Sequence, residues 1–198
     1  MNAPRDANRE RVPRLMVMLS GGGRSLDNLL NFIDDGSLRA QVVMVIASRD
    51  CGGVGIAGRR GVPARILSGD LSATRLGELA AEMDVDWVVL AGYLRKVAIP
   101  PALEGRVVNI HPALLPKFGG KGMYGHHVHE AVLAAGERES GCTVHLCDGE
   151  YDRGAIVLQE RCPVLPTDTP DTLAARVFEC ERRAYPAALK RLFSEVTP

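Results

Sequence analysis

The chain has 198 residues, 46% hydrophobic and 24% charged, which supplies one packed core and excludes a disordered or fibrous chain. Basic and acidic residues number 24 each, so the formal net charge is zero and no basic run marks a nucleic-acid surface. Five cysteines without a Cys-x-x-Cys pair read as free thiols in a reducing cytoplasm, not as a disulfide framework or a Cys-rich zinc site.

Residues 1–14 are polar, carry both charge signs and lack the apolar segment of a secretory signal, so they read as a flexible leader to a single unit over 15–198. No run is long enough to span a membrane. Leu15 to Leu19 is a strand ended by Ser20-Gly21-Gly22-Gly23, and Ser25 to Asp35 follows with Leu26, Leu29, Leu30 and Ile33 on one helical face. Val42 to Ala47 is a second strand. A Gly-rich, partly helical stretch leads to a third near Ala64 to Leu67, and Ser72 to Met83 is a helix. Trp87 to Ala91 and Val107 to Ile110 are further strands. Their apolar runs are continuous, as in a parallel sheet covered on both faces. After a Gly/Pro-punctuated loop, His126 to Ala135 is helical. Gly141 to Cys147 and Ala155 to Val164 flank a polar turn as a hairpin, and Thr169-Pro170 opens a last helix. The pattern predicts an α/β fold: one Rossmann-like, doubly wound, mostly parallel sheet with a C-terminal hairpin and a final helix. Ligands of such sheets collect at the carboxyl ends of the strands.

Three constellations there carry chemistry. Gly21-Gly22-Gly23-Arg24-Ser25 lets the backbone approach an anion at a helix N-terminus, a cradle for one phosphate. Leu26 stands where a dinucleotide fingerprint needs its third glycine, and a Walker A lysine is absent. Asn109 and His111, two apart in a strand, project to the same side: an amide N–H for a developing oxyanion and a proton near neutral pH. The turn Asp148-Gly149-Glu150-Tyr151-Asp152 offers a carboxylate for His111, and the residues alone leave open which acid supplies it. His126, His127, His129 and His145 invite a metal reading, but His127 finds Ala131 four residues on and no ligand set is completed, so no metal is expected. These four read instead as a substrate-facing loop edge or as surface.

The string Asn109-Ile110-His111-Pro112-Ala113-Leu114-Leu115-Pro116-Lys117 resembles the signature of the folate-dependent formyltransferases. Val88 to Arg95 is similar to that family's folate-lining strand and loop, and Glu150-Tyr151-Asp152-Arg153-Gly154 to its acidic turn. The likeness runs from about Leu15 to Phe193, and it implies that 15–198 is a formyltransferase catalytic domain. It implies that 10-formyltetrahydrofolate serves as co-substrate, that the acceptor is the amine of glycinamide ribonucleotide, and that no metal takes part. Asn109 then polarises the formyl oxygen, His111 is the general acid, and Asp152 pairs with His111 and raises its pKa. Gly23, Arg24 and Ser25 match the segment binding the substrate phosphate, Glu181 a ribose contact, and Leu94, Arg95, Lys96 and Val97 the segment lying against the folate.

Two departures from the family pattern stand out: Arg24 replaces a small hydroxyl residue, and the loop from Phe118 to His127 is longer than in the family's best-known bacterial form. Arg75 is a candidate for an arginine that the family uses before the fourth strand, and it stays outside the site set. The competing expectations are formyltetrahydrofolate hydrolysis, transfer to a sugar-nucleotide amine, and a non-catalytic nucleotide- or folate-binding module. No nucleic acid or membrane partner is expected, and a homodimer is left open.

Overall fold

The computed structural model describes residues 11–195, in which Arg14–Leu19 forms the central strand β1. Leu15, Val17 and Leu19 pack into one core and Met16 and Met18 into a second on the opposite face, all fully buried. This two-sided burial is what a continuous apolar run requires. Of the expected leader, residues 1–10 lie outside the described residues; Arg14 opens β1, and the Arg11 guanidinium pairs with Asp84 and Asp86.

The remaining elements are α1 (Arg24–Asp34), β2 (Gln41–Ala47), α2 (Gly52–Arg59), β3 (Ala64–Ile66), α3 (Ala73–Glu82), β4 (Trp87–Leu90), a 3-10 turn (Pro101–Leu103), β5 (Val107–His111), α4 (His126–Ala134), β6 (Glu139–Leu146), β7 (Ile156–Pro163) and α5 (Pro170–Glu195). They form one seven-stranded sheet in the order β3-β2-β1-β4-β5-β6-β7. The first five strands are parallel, and β6 and β7 run antiparallel as the expected hairpin. The strand order reverses between β1 and β4, and that reversal opens a crevice at their carboxyl ends.

Helix α5 closes one face of the sheet. Leu173, Val177, Cys180, Ala184, Ala188 and Leu189 are buried along its stripe. Its Tyr185 hydroxyl lies 2.8 Å from the Leu90 carbonyl and 3.2 Å from that of Val108, tying the ends of β4 and β5 together. Pro186 sits inside this helix and has no N–H for the Arg182 carbonyl. The buried Asn28 of α1 donates to that carbonyl instead, at 3.0 Å, so the helix runs on with its backbone satisfied. All five cysteines are free, and among the described residues no helix is long and apolar enough to cross a membrane.

Candidate active site

Asn109 and His111 end β5 beside the crevice, Asn109 half-buried and His111 4% exposed. The turn between β6 and β7 brings Asp152 to them in a left-handed conformation (φ 55). Its Oδ2 is 3.5 Å from His111 Nδ1, and its Oδ1 is 3.5 Å from both Asn109 Nδ2 and His145 Nε2. Of the three acids in this turn, left open by the residues alone, Asp152 is thus the one in contact. His145 belongs to this group as well, unforeseen from the sequence. It faces Asn109 across the β5–β6 ladder, is 1% exposed, and places Nε2 3.2 Å from Asn109 Nδ2. Its Nδ1 lies 3.0 Å from the Leu146 carbonyl, which can only accept. Nδ1 therefore carries a hydrogen, and Nε2 faces both the Asn109 amide and the Asp152 carboxylate.

The same logic fixes His111. Its Nε2 is 2.8 Å from the Phe118 carbonyl, so Nε2 keeps its hydrogen and Nδ1 is the nitrogen that gains or loses a proton. Burial is the strongest influence on this ring and draws its pKa below the ordinary histidine value. The Asp152 charge and the Phe118 carbonyl push upward without overtaking it, and the nearby His145 adds to the lowering. The expected upward pull of Asp152 is present; the expected net rise is not, because the ring has lost its water. For Asp152 the balance runs the other way. Burial pushes its carboxyl up, but the His145 hydrogen bond, the His111 charge and the Gly120 N–H (2.9 Å from Oδ2) together hold it below the usual range. Gly120 has φ +100, a conformation that a side chain would strain. The first residues of the long loop therefore anchor both partners of the acid–base pair. Cys147 on the same wall is no nucleophile, since burial pushes its thiol up to about 12.

The glycine turn follows β1 at the other end of the crevice. Gly23 caps α1 with φ 80, and a Cβ there would lie 2.6 Å from the Gly53 Cα, so this close turn admits only glycine. Ser20 Oγ accepts from Ser48 Oγ at 2.7 Å and from the Leu94 N–H at 3.0 Å, stitching this turn to the loop after β4. The Arg24 guanidinium lies 4.1 Å from the centre of the Phe178 ring. One turn further along α5, burial pushes the Glu181 carboxyl up to about 7 against the pull of Arg24.

On the segment after β4, Leu94 is exposed, Arg95 is 3.7 Å from Asp70, Lys96 lies 5.9 Å from the Tyr151 ring centre, and Val97 is buried. One cavity of about 660 Å3 is lined by Gly23, Arg24, Ser25, Leu94, Arg95, Lys96, Val97, Asn109, His111, Asp152 and Glu181, the residues to which the resemblance gives a role. Arg75 lies elsewhere, paired with Glu78 on α3 at 2.9 Å. The histidine cluster divides. His126 and His127 are exposed and face Glu130 and Asp171, while His129 is buried with an unpartnered Nδ1 and a pKa drawn down to about 4, chiefly by burial. Among the described residues no group of His, Cys, Asp and Glu side chains is placed to hold a metal ion.

The family model described as formyl transferase matches residues 13–189, which includes every residue of this site. The chain belongs to the formyl transferase family. This formyltransferase is 40% identical over 185 residues to the chloroplastic phosphoribosylglycinamide formyltransferase of Arabidopsis thaliana, covering 88% of the present chain and 63% of the plant protein. It is 33% identical to the phosphoribosylglycinamide formyltransferase of Haemophilus influenzae, covering 90% and 86% of the two chains. The chain thus spans a little over three fifths of the plant relatives it matches and most of the bacterial one. Among solved structures, the glycinamide ribonucleotide transformylase 1 of Symbiobacterium toebii superposes with a TM-score of 0.84 at 37% identity, over 93% of this chain and 88% of that one. A formyltetrahydrofolate deformylase from Pseudomonas syringae shares the fold, with a TM-score of 0.80 at 22% identity.

Proposed function

We propose that this enzyme moves the formyl group of 10-formyltetrahydrofolate onto the amine of glycinamide ribonucleotide. The observation that carries the reading is that one cavity joins a phosphate-sized glycine turn, the Asn109–His111–Asp152 group and the loop after β4. An acceptor anchored by its phosphate at α1 extends its amine toward Asn109 and His111, while the folate enters along Leu94 to Val97. The names of the bacterial relatives agree with this acceptor.

The amine attacks the formyl carbon and its oxygen takes up negative charge. The Asn109 amide, whose bond to Asp152 is long at 3.5 Å, turns one N–H to that oxygen. Protonated His111 presents the second hydrogen from Nδ1, because Nε2 is held by Phe118. Asp152 favours this charged form, and the growing oxyanion favours it further, offsetting the burial that keeps the resting ring neutral. The old C–N bond then breaks, and the proton of the new ammonium passes to the departing folate nitrogen. Both substrates are small molecules, no metal enters the scheme, and the five free thiols suit a reducing cytoplasm.

The test is turnover of purified protein with both substrates, following folate release and formylated nucleotide together. Equal amounts of the two are expected. Folate release without formylated nucleotide would replace this reading with hydrolysis or another acceptor.

A further inference from the structure

The contact between Arg24 and Phe178 has no part in the chemistry above. Arg24 is the first residue of α1, directly after the glycine turn, and its guanidinium carbon lies 4.1 Å from the Phe178 ring centre. Phe178 stands on α5 three residues before Glu181, hence on the same helical face, and all three line the cavity. Among the described residues no carboxylate lies within ion-pairing distance of Arg24. An aromatic face attracts a guanidinium through its quadrupole and leaves the N–H fork unspent, whereas a carboxylate would consume the fork.

We propose that Phe178 is a positioning residue that holds Arg24 as a clamp for the phosphate monoester of the acceptor. The proposal rests on the ribonucleotide reading and adds a specificity determinant that lies on the far helix, not on the phosphate turn. Arg24 is otherwise a long exposed side chain whose ordering would count against binding. The ring does part of that ordering in advance and aims two parallel N–H groups at a phosphate seated on the α1 N-terminus. Glu181 is the nearest rival for the guanidinium. With its carboxyl pushed up to about 7 it is only partly ionised near neutrality, so Arg24 stays free for the ligand.

The test compares wild type with Phe178→Leu, Phe178→Tyr, Arg24→Lys and the Phe178→Leu/Arg24→Lys double variant. Calorimetry reads the affinity for glycinamide ribonucleotide and for the same acceptor lacking its phosphate, and steady-state kinetics reads kcat and both KM values. Phe178→Leu keeps apolar bulk but has no π face. It should weaken the ribonucleotide on the order of tenfold, with kcat and the folate KM within about twofold, and Phe178→Tyr should restore the loss. Binding of the dephosphorylated acceptor should be the same in all variants, and the double variant should be no weaker than Arg24→Lys alone. Equal losses for both acceptors, or additive losses in the double variant, would overturn the clamp. A wild type that binds the ribonucleotide through Arg24 and Phe178 yet forms no formylated product would sink the transfer reading and uphold the clamp.

Discussion

Both ring nitrogens of His111 are engaged, and the engagements differ in kind. The Phe118 carbonyl permanently holds the Nε2 hydrogen, while the 3.5 Å gap from Nδ1 to Asp152 leaves room for a transferring proton. His111→Ala should keep the fold and lower kcat on the order of a hundredfold or more, with a thermal melt alongside the rate measurement to separate the two effects. Asp152→Asn keeps the shape of the side chain and removes the charge that pushes the His111 pKa upward. The protonated ring is then rarer at neutral pH, so kcat should fall and the alkaline limb of the pH–rate profile should move to lower pH. A limb that stays in place would mean that Asp152 serves only as a structural acceptor for Gly120.

At the scale of elements, the join between α1 and α5 depends on one amide. Asn28→Leu leaves the Arg182 carbonyl without a donor beside Pro186, an expected loss of about 1–3 kcal/mol that appears as a Tm lower by several degrees. An unchanged Tm would show that water reaches the carbonyl. The strands and helices were legible because their apolar periodicities are interrupted by glycine and proline at nearly every boundary, and Asn109 and His111 were legible because alternation along one strand places them together. What escaped has a physical cause in each case. His145 meets Asn109 through the antiparallel register of β5 and β6, and that pairing is not written in either strand's own sequence. Phe118 and Gly120 act through main-chain groups, which no side-chain pattern reveals. Phe178 reads in sequence as one more apolar residue of an amphipathic helix.

For the whole molecule, a buried histidine and a half-buried carboxyl set opposing trends of stability with pH. His129, drawn from 6.5 to about 4, leaves the unfolded chain binding more protons between those values, so its contribution to stability falls as pH drops through that window. Glu181, raised from 4.5 to about 7, binds its proton more tightly when folded, so its contribution falls as pH rises through that window. Each is worth on the order of 2–3 kcal/mol over the shared range, and together they flatten it. Glu181→Gln should therefore give a Tm that climbs more steeply than wild type between roughly pH 4.5 and 6.5, measured by calorimetry at matched ionic strength. Parallel curves for the two proteins would refute the opposition. The placement of α5 also has a consequence for biosynthesis. The helix that ties β4 to β5 and supplies Phe178 and Glu181 comes after every strand of the sheet. A chain still on the ribosome thus carries Asn109, His111 and Asp152 on a sheet whose face α1, α2 and α4 cover only in part, and the apolar patch that α5 will bury needs shelter from aggregation until the last helix emerges.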